Sequence, residues 1–128
     1  MKRVEVLKTY KIYIDGKFPR TESGRFYKVL NNAKEPIANV CLSSRKDIRN
    51  AVQAARKAQG SWQERTAFNR GQVLYRIAEM LEGRRAQFVE ELMLENSTKK
   101  EAQMEVDNSI DRIVYYAGWC DKFNQVAS

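Results

Sequence analysis

The chain has 128 residues, 43% hydrophobic and 30% charged, an ordinary globular mix and enough for one modest domain. Its net charge of +7 is scattered over short pairs (Lys2-Arg3, Arg45-Lys46, Arg84-Arg85, Lys99-Lys100), which points to solvated helix faces rather than a nucleic-acid footprint. The chain has no histidine, which excludes a Ser-His-Asp or Cys-His site and histidine metal ligation within it.

Two cysteines, Cys41 and Cys120, lie far apart in the sequence. They form no disulfide scaffold and read as buried or half-buried free thiols of a cytoplasmic protein. No stretch approaches the roughly twenty apolar residues of a membrane-spanning helix, and the first residues lack the apolar run of a signal peptide. No membrane partner is expected.

In chain order, residues 1–42 read as a β arm. Tyr10 to Ile14 is β-prone and leads into Asp15-Gly16, a tight-turn signal. Pro19 keeps the return strand short or on an edge. Phe26 to Leu30 and Pro36 to Leu42 are further short strands, linked through Asn31 to Lys34.

Residues 43–128 read as a helical segment, with helices at about 45–59, 67–82, 84–95 and 98–122. Ser44 and Asp47 fit a capping box for the first helix, whose narrow apolar face is Ile48, Ala51, Val52, Ala55 and Ala58. Gly60-Ser61 is expected to stop it and leave Trp62 in a linker. The longest pattern runs from Thr66 to Glu95: Leu74, Ile77, Leu81, Phe88 and Leu92 recur at helical spacing. Gly71 and Gly83 interrupt it, and Gly83 is the better break. Ser97 or Thr98 starts the last helix, with Glu101 placed to complete a capping box.

That last helix carries two apolar stripes. Ala102, Val106, Ile110, Ile113 and Ala117 make one; Tyr115, Tyr116, Trp119 and Phe123 make the other and face elsewhere. A helix with two apolar faces sits between layers, so the aromatic set is the candidate partner-binding face. The acid pairs Glu101–Glu105 and Asp107–Asp111 have metal-binding spacing, but the Glu-x-x-His halves are missing and cations lie nearby, so a salt-bridged face is expected. The residues themselves assign no catalytic, coenzyme-binding or metal-binding position. The fold class is mainly α, three or four amphipathic helices with a short N-terminal β hairpin or arm.

Five blocks in order carry a resemblance. They are Tyr13 to Phe18, Ile37 to Val40, Asp47 to Ala58 with Trp62, Asn69 to Glu82, and Glu101-Ala102 through Glu105-Val106-Asp107 to Tyr115-Tyr116-Ala117-Gly118-Trp119-Cys120-Asp121-Lys122. Together they resemble the N-terminal segment of the NAD(P)-dependent aldehyde dehydrogenase superfamily. Three positions depart from its pattern: Lys34, where a glycine is frequent; Asn96, where a glycine-containing pair usually ends the helix; and Cys120, where alanine is common.

The resemblance implies the first part of a coenzyme-binding domain. It also implies a parent reaction in which a cysteine thiolate attacks an aldehyde, hydride passes to NAD or NADP, and the thioester is hydrolysed. The family's catalytic cysteine, its activating glutamate and its oxyanion asparagine lie downstream of the part resembled. The implied identity is a fragment or truncated paralogue that holds no cofactor and is inactive alone. A non-catalytic helical interaction or oligomerisation module is the competing expectation. The partner is then a second copy or the remainder of the enzyme.

Overall fold

The computed structural model describes residues 2–127 and divides into two compact units, Met1–Gly60 and Ser61–Ser128. Its elements are β1 (Thr9–Tyr10), β2 (Phe26–Leu30), β3 (Pro36–Cys41), α1 (Arg45–Glu64), α2 (Ala67–Gly83), α3 (Arg85–Leu94), α4 (Lys99–Trp119) and α5 (Phe123–Val126). The chain is mainly helical with a small sheet near its start, as the sequence predicts.

The first unit holds the three-stranded sheet, with β3 between β1 and β2. β1 runs parallel to β3 and β2 antiparallel to it, pairing Thr9 with Asn39 and Tyr27 with Val40. The Asp15-Gly16 turn forms as expected. Both residues have positive φ, 55° and 73°, which a two-residue hairpin of matching twist requires. Ile14 and Lys17 exchange backbone hydrogen bonds of 3.0 and 3.1 Å across it. One step further out, the Ile12 N–H donates to the Pro19 carbonyl at 3.0 Å. Proline has no N–H to return that bond, and the hairpin goes no further than an isolated bridge.

Between β2 and β3 the chain turns at Asn31–Glu35. Lys34 sits there at φ 60°, the left-handed region that glycine enters without strain. Asn31 offsets this by accepting the Glu35 N–H on its side-chain oxygen at 2.9 Å. The turn thus forms without the glycine.

α1 begins as predicted, with Ser44 and Asp47 bonded reciprocally: the Ser44 N–H donates to Asp47 Oδ2 at 2.9 Å and the Asp47 N–H to Ser44 Oγ at 3.4 Å. Its end differs from expectation. Gly60-Ser61 does not stop the helix, which continues to Glu64, and Trp62 lies inside it, 40% exposed. Gly60 costs the helix about 1 kcal/mol relative to alanine, too little to break a run flanked by good helix formers. Ile48 and Val52 are exposed, and Asp47 is the one buried residue of α1.

The second unit is a helical assembly whose core is Ala78, Val89, Ala102, Val106 and Ile110, with Leu81, Leu92 and Ile113 packed against them. It joins the stripe predicted for α2 and α3 to the first stripe predicted for α4. Thr66 caps α2, accepting the Asn69 N–H at 3.1 Å. The helix pattern breaks between Gly83 and Arg85, and α3 ends at a left-handed Asn96, φ 80°. Asparagine tolerates that conformation better than most residues, so the turn survives without glycine.

Candidate functional site

The side chains singled out as a partner face all belong to α4 and α5, so the placement of α4 decides their geometry. Thr98 starts it. Its hydroxyl accepts the Glu101 N–H at 3.2 Å, and its own N–H donates to Glu101 Oε2 at 2.9 Å. These bonds, the backbone one foremost, hold the Glu101 carboxyl below its ordinary range. Arg85, at the start of α3, then grips α4 sideways through Asp107. Nε lies 2.6 Å from Oδ1, and Nη2 donates to Oδ2 at 2.9 Å. This two-pronged pairing lowers the Asp107 pKa, chiefly through the Arg85 hydrogen bonds, and raises that of Arg85.

Near its other end α4 approaches α2 closely. A Cβ placed on the buried Gly71 would lie 3.0 Å from the Ala117 carbonyl oxygen and 3.5 Å from Cys120 Cβ. Glycine at this position therefore lets two backbones meet. Beside the crossing lies a cavity of about 330 Å³, lined by Gly71, Tyr75, Gly118, Cys120 and Lys122 among others. From the sequence, Gly71 reads only as a weakness in a helix. Nothing local in one sequence distinguishes a glycine that permits contact from one that merely interrupts.

With Ala102, Val106, Ile110 and Ala117 buried beneath α4, its outer side carries the aromatic set. Tyr115 and Tyr116 are 60% and 63% exposed and Phe123 is 63% exposed; Trp119 is half-buried. Tyr115 joins two partners, Tyr116 edge-on at 5.3 Å between ring centroids and Trp119 tilted at 6.3 Å. Phe123 makes no ring contact with them. α4 stops at Trp119, the chain turns through Cys120 to Lys122, and Phe123 opens the separate α5. Three of the four predicted residues thus form one cluster and the fourth stands on the next element.

Other candidate chemistry is engaged elsewhere. Glu101 serves the cap and Asp107 the arginine, so neither acid pair has two free carboxylates. Among the described residues, no group of three or more His, Cys, Asp or Glu side chains is placed to hold a metal ion. Both cysteines are free and half-buried, and the Cys120 thiol donates to the Tyr116 carbonyl at 3.4 Å. Among the described residues, no helix is long and apolar enough to cross a membrane.

The fold defines a class. The chain superposes on a point mutant of an aldehyde dehydrogenase from Bacillus cereus with a TM-score of 0.85 and 30% identity, covering 90% of this chain and 24% of that one. It superposes on betaine aldehyde dehydrogenase from Staphylococcus aureus, solved in complex with NAD+, with a TM-score of 0.83 and 28% identity, covering 91% and 24%.

The sequence agrees. The profile of the aldehyde dehydrogenase family matches residues 18–127, and the chain belongs to that family. It is 35% identical over 116 residues to D-glyceraldehyde dehydrogenase (NADP(+)) from Thermoplasma acidophilum, covering 89% of this chain and 24% of the relative. The chain therefore corresponds to the N-terminal segment of the superfamily and spans about a quarter of the length of these relatives.

Proposed function

We propose that this chain supplies the front part of the coenzyme-binding domain of an NAD(P)-dependent aldehyde dehydrogenase, as a fragment or truncated paralogue, and is not catalytic on its own. The carrying observation is the superposition on 90% of this chain but 24% of the Bacillus cereus enzyme. The chemistry of the chain's residues agrees with this reading. Aldehyde oxidation of the parent kind needs a nucleophilic thiolate with a base and oxyanion donors converging on it. Cys120 points its thiol at a backbone carbonyl, and the sequence holds no histidine to serve as a base.

In a whole enzyme these helices would flank the nucleotide fold, and the bond-making steps would fall to residues outside this segment. The setting we propose is the cytoplasm, and the natural partner of this reading is the remainder of the enzyme. Fluorescence of Trp62 and Trp119, titrated with NAD+ and with NADP+, tests it. The expected result is no saturable change with either coenzyme. Saturation at micromolar coenzyme would show that the segment holds a coenzyme site by itself and would overturn the reading.

A second reading is favoured by the exposure of Tyr115, Tyr116 and Phe123 on α4 and α5. Large aromatic side chains gathered in the open mark interaction surfaces. Under this reading the chain is a non-catalytic oligomerisation module. Light scattering with parallel thermal unfolding decides between the two. A defined oligomer that melts cooperatively supports the module, whereas a monomer that melts without a transition contradicts it.

A further inference from the structure

The surface of the chain is too large for its mass. It exposes 10797 Å², whereas a compact monomer of 14.9 kDa exposes about 7,000 Å². Even as two separate compact bodies of half that mass, the expected surface is about 8,500 Å². The remaining excess, about 2,300 Å², is of the size that one partner buries in an obligate interface.

The outer side of α4 shows how a copy of the same chain would cover such surface. From Glu105 through Asn108 and Arg112 to Tyr116, steps of three and four residues keep the side chains on one side of the helix. Glu101, Met104, Glu105 and Arg112 line a shallow groove of about 460 Å³ there, and the aromatic cluster continues it. Neither Glu105 nor Arg112 has an ion-pair partner among the described residues. They stand two helical turns apart, acid toward the start of α4 and cation toward its end. Such a face is its own complement under a two-fold axis. An antiparallel second copy, with the axis near Asn108 and Ser109, sets Arg112 of each chain against Glu105 of the other. It also lays Tyr115 and Tyr116 over the first turns of the facing α4, beside Met104, whose thioether suits an aromatic neighbour.

We infer that the chain forms an antiparallel homodimer through the outer face of α4, with reciprocal Arg112–Glu105 pairs flanked by the Tyr115–Tyr116–Trp119 cluster. This rests on the second reading above and names its partner.

Sedimentation equilibrium of the full chain tests it, with far-UV circular dichroism confirming helical content for each variant. The expected wild-type mass is twice 14.9 kDa. Glu105→Arg and Arg112→Glu each place like charges opposite one another and should raise the dimer dissociation constant at least tenfold. The double variant restores opposite charges and should recover most of the loss. A folded wild-type monomer, or an undefined aggregate, would contradict the module reading and this interface together. A wild-type dimer that the single swaps leave unchanged, or that the double swap fails to restore, would leave the module reading standing and overturn this interface.

Discussion

Asp47 carries its charge into a buried position, 6% exposed, because four donors surround it. They are the Thr21 hydroxyl, the Glu22 N–H, and the N–H and hydroxyl of Ser44. The Thr21 hydrogen bond leads in holding the Asp47 carboxyl below its ordinary value of 3.8, against the opposing effect of burial. Half of this arrangement was legible: Ser44 and Asp47 stand three residues apart and announce a helix start. Thr21 comes from 26 residues upstream, and no local pattern marks it. Thr21→Val removes one donor while roughly keeping shape, leaving a buried carboxylate short of a partner. The expected result is an unfolding midpoint lowered by several degrees in a circular dichroism melt. An unchanged midpoint would show that the other three donors suffice.

At the scale of elements, the contact of α2 with α4 decides the second unit. The apolar spacing of both helices foretold their buried sides, because a 3.6-residue repeat leaves one face to cover. It did not foretell how near the backbones come, since that depends on Gly71 meeting the Ala117 carbonyl from another helix. Two alanine substitutions separate these effects. Gly60, within α1, has nothing within 4 Å of the place a Cβ would occupy, so Gly60→Ala should stabilise by about 1 kcal/mol through helix propensity alone. Gly71→Ala gains the same propensity but presses on a helix carbonyl, and should destabilise. Chemical denaturation measures both, and an equal gain from the two would contradict the close approach.

The anchoring of α4 also sets an acid limit. The folded-state values of Glu101 and Asp107 lie below their ordinary 4.5 and 3.8, so the unfolded chain takes up protons first on acidification. Their stabilising contribution is complete above about pH 5 and fades as pH falls through the folded-state values. Unfolding midpoints should therefore decline steadily below about pH 4.5, and Asp107→Asn should flatten part of that decline.

At the scale of the whole molecule, sequence and structure carry different parts of the account. Five ordered blocks resembled the aldehyde dehydrogenase superfamily, and the family match over residues 18–127 bears that out. Local patterns could not show that α4 and α5 leave three of their large aromatic side chains in the open, because exposure depends on what else is packed nearby. Nor could they foresee that α4 ends at Trp119 and parts Phe123 from the cluster, since the aromatic spacing continues unbroken through the turn. The central claim is that this segment belongs to an aldehyde dehydrogenase and does not perform the reaction alone. Its most direct test is absorbance at 340 nm, with the purified chain at high concentration supplied with glyceraldehyde or betaine aldehyde and either NAD+ or NADP+. The account predicts no aldehyde-dependent formation of reduced coenzyme. Sustained turnover that Cys41→Ser or Cys120→Ser abolishes would contradict it.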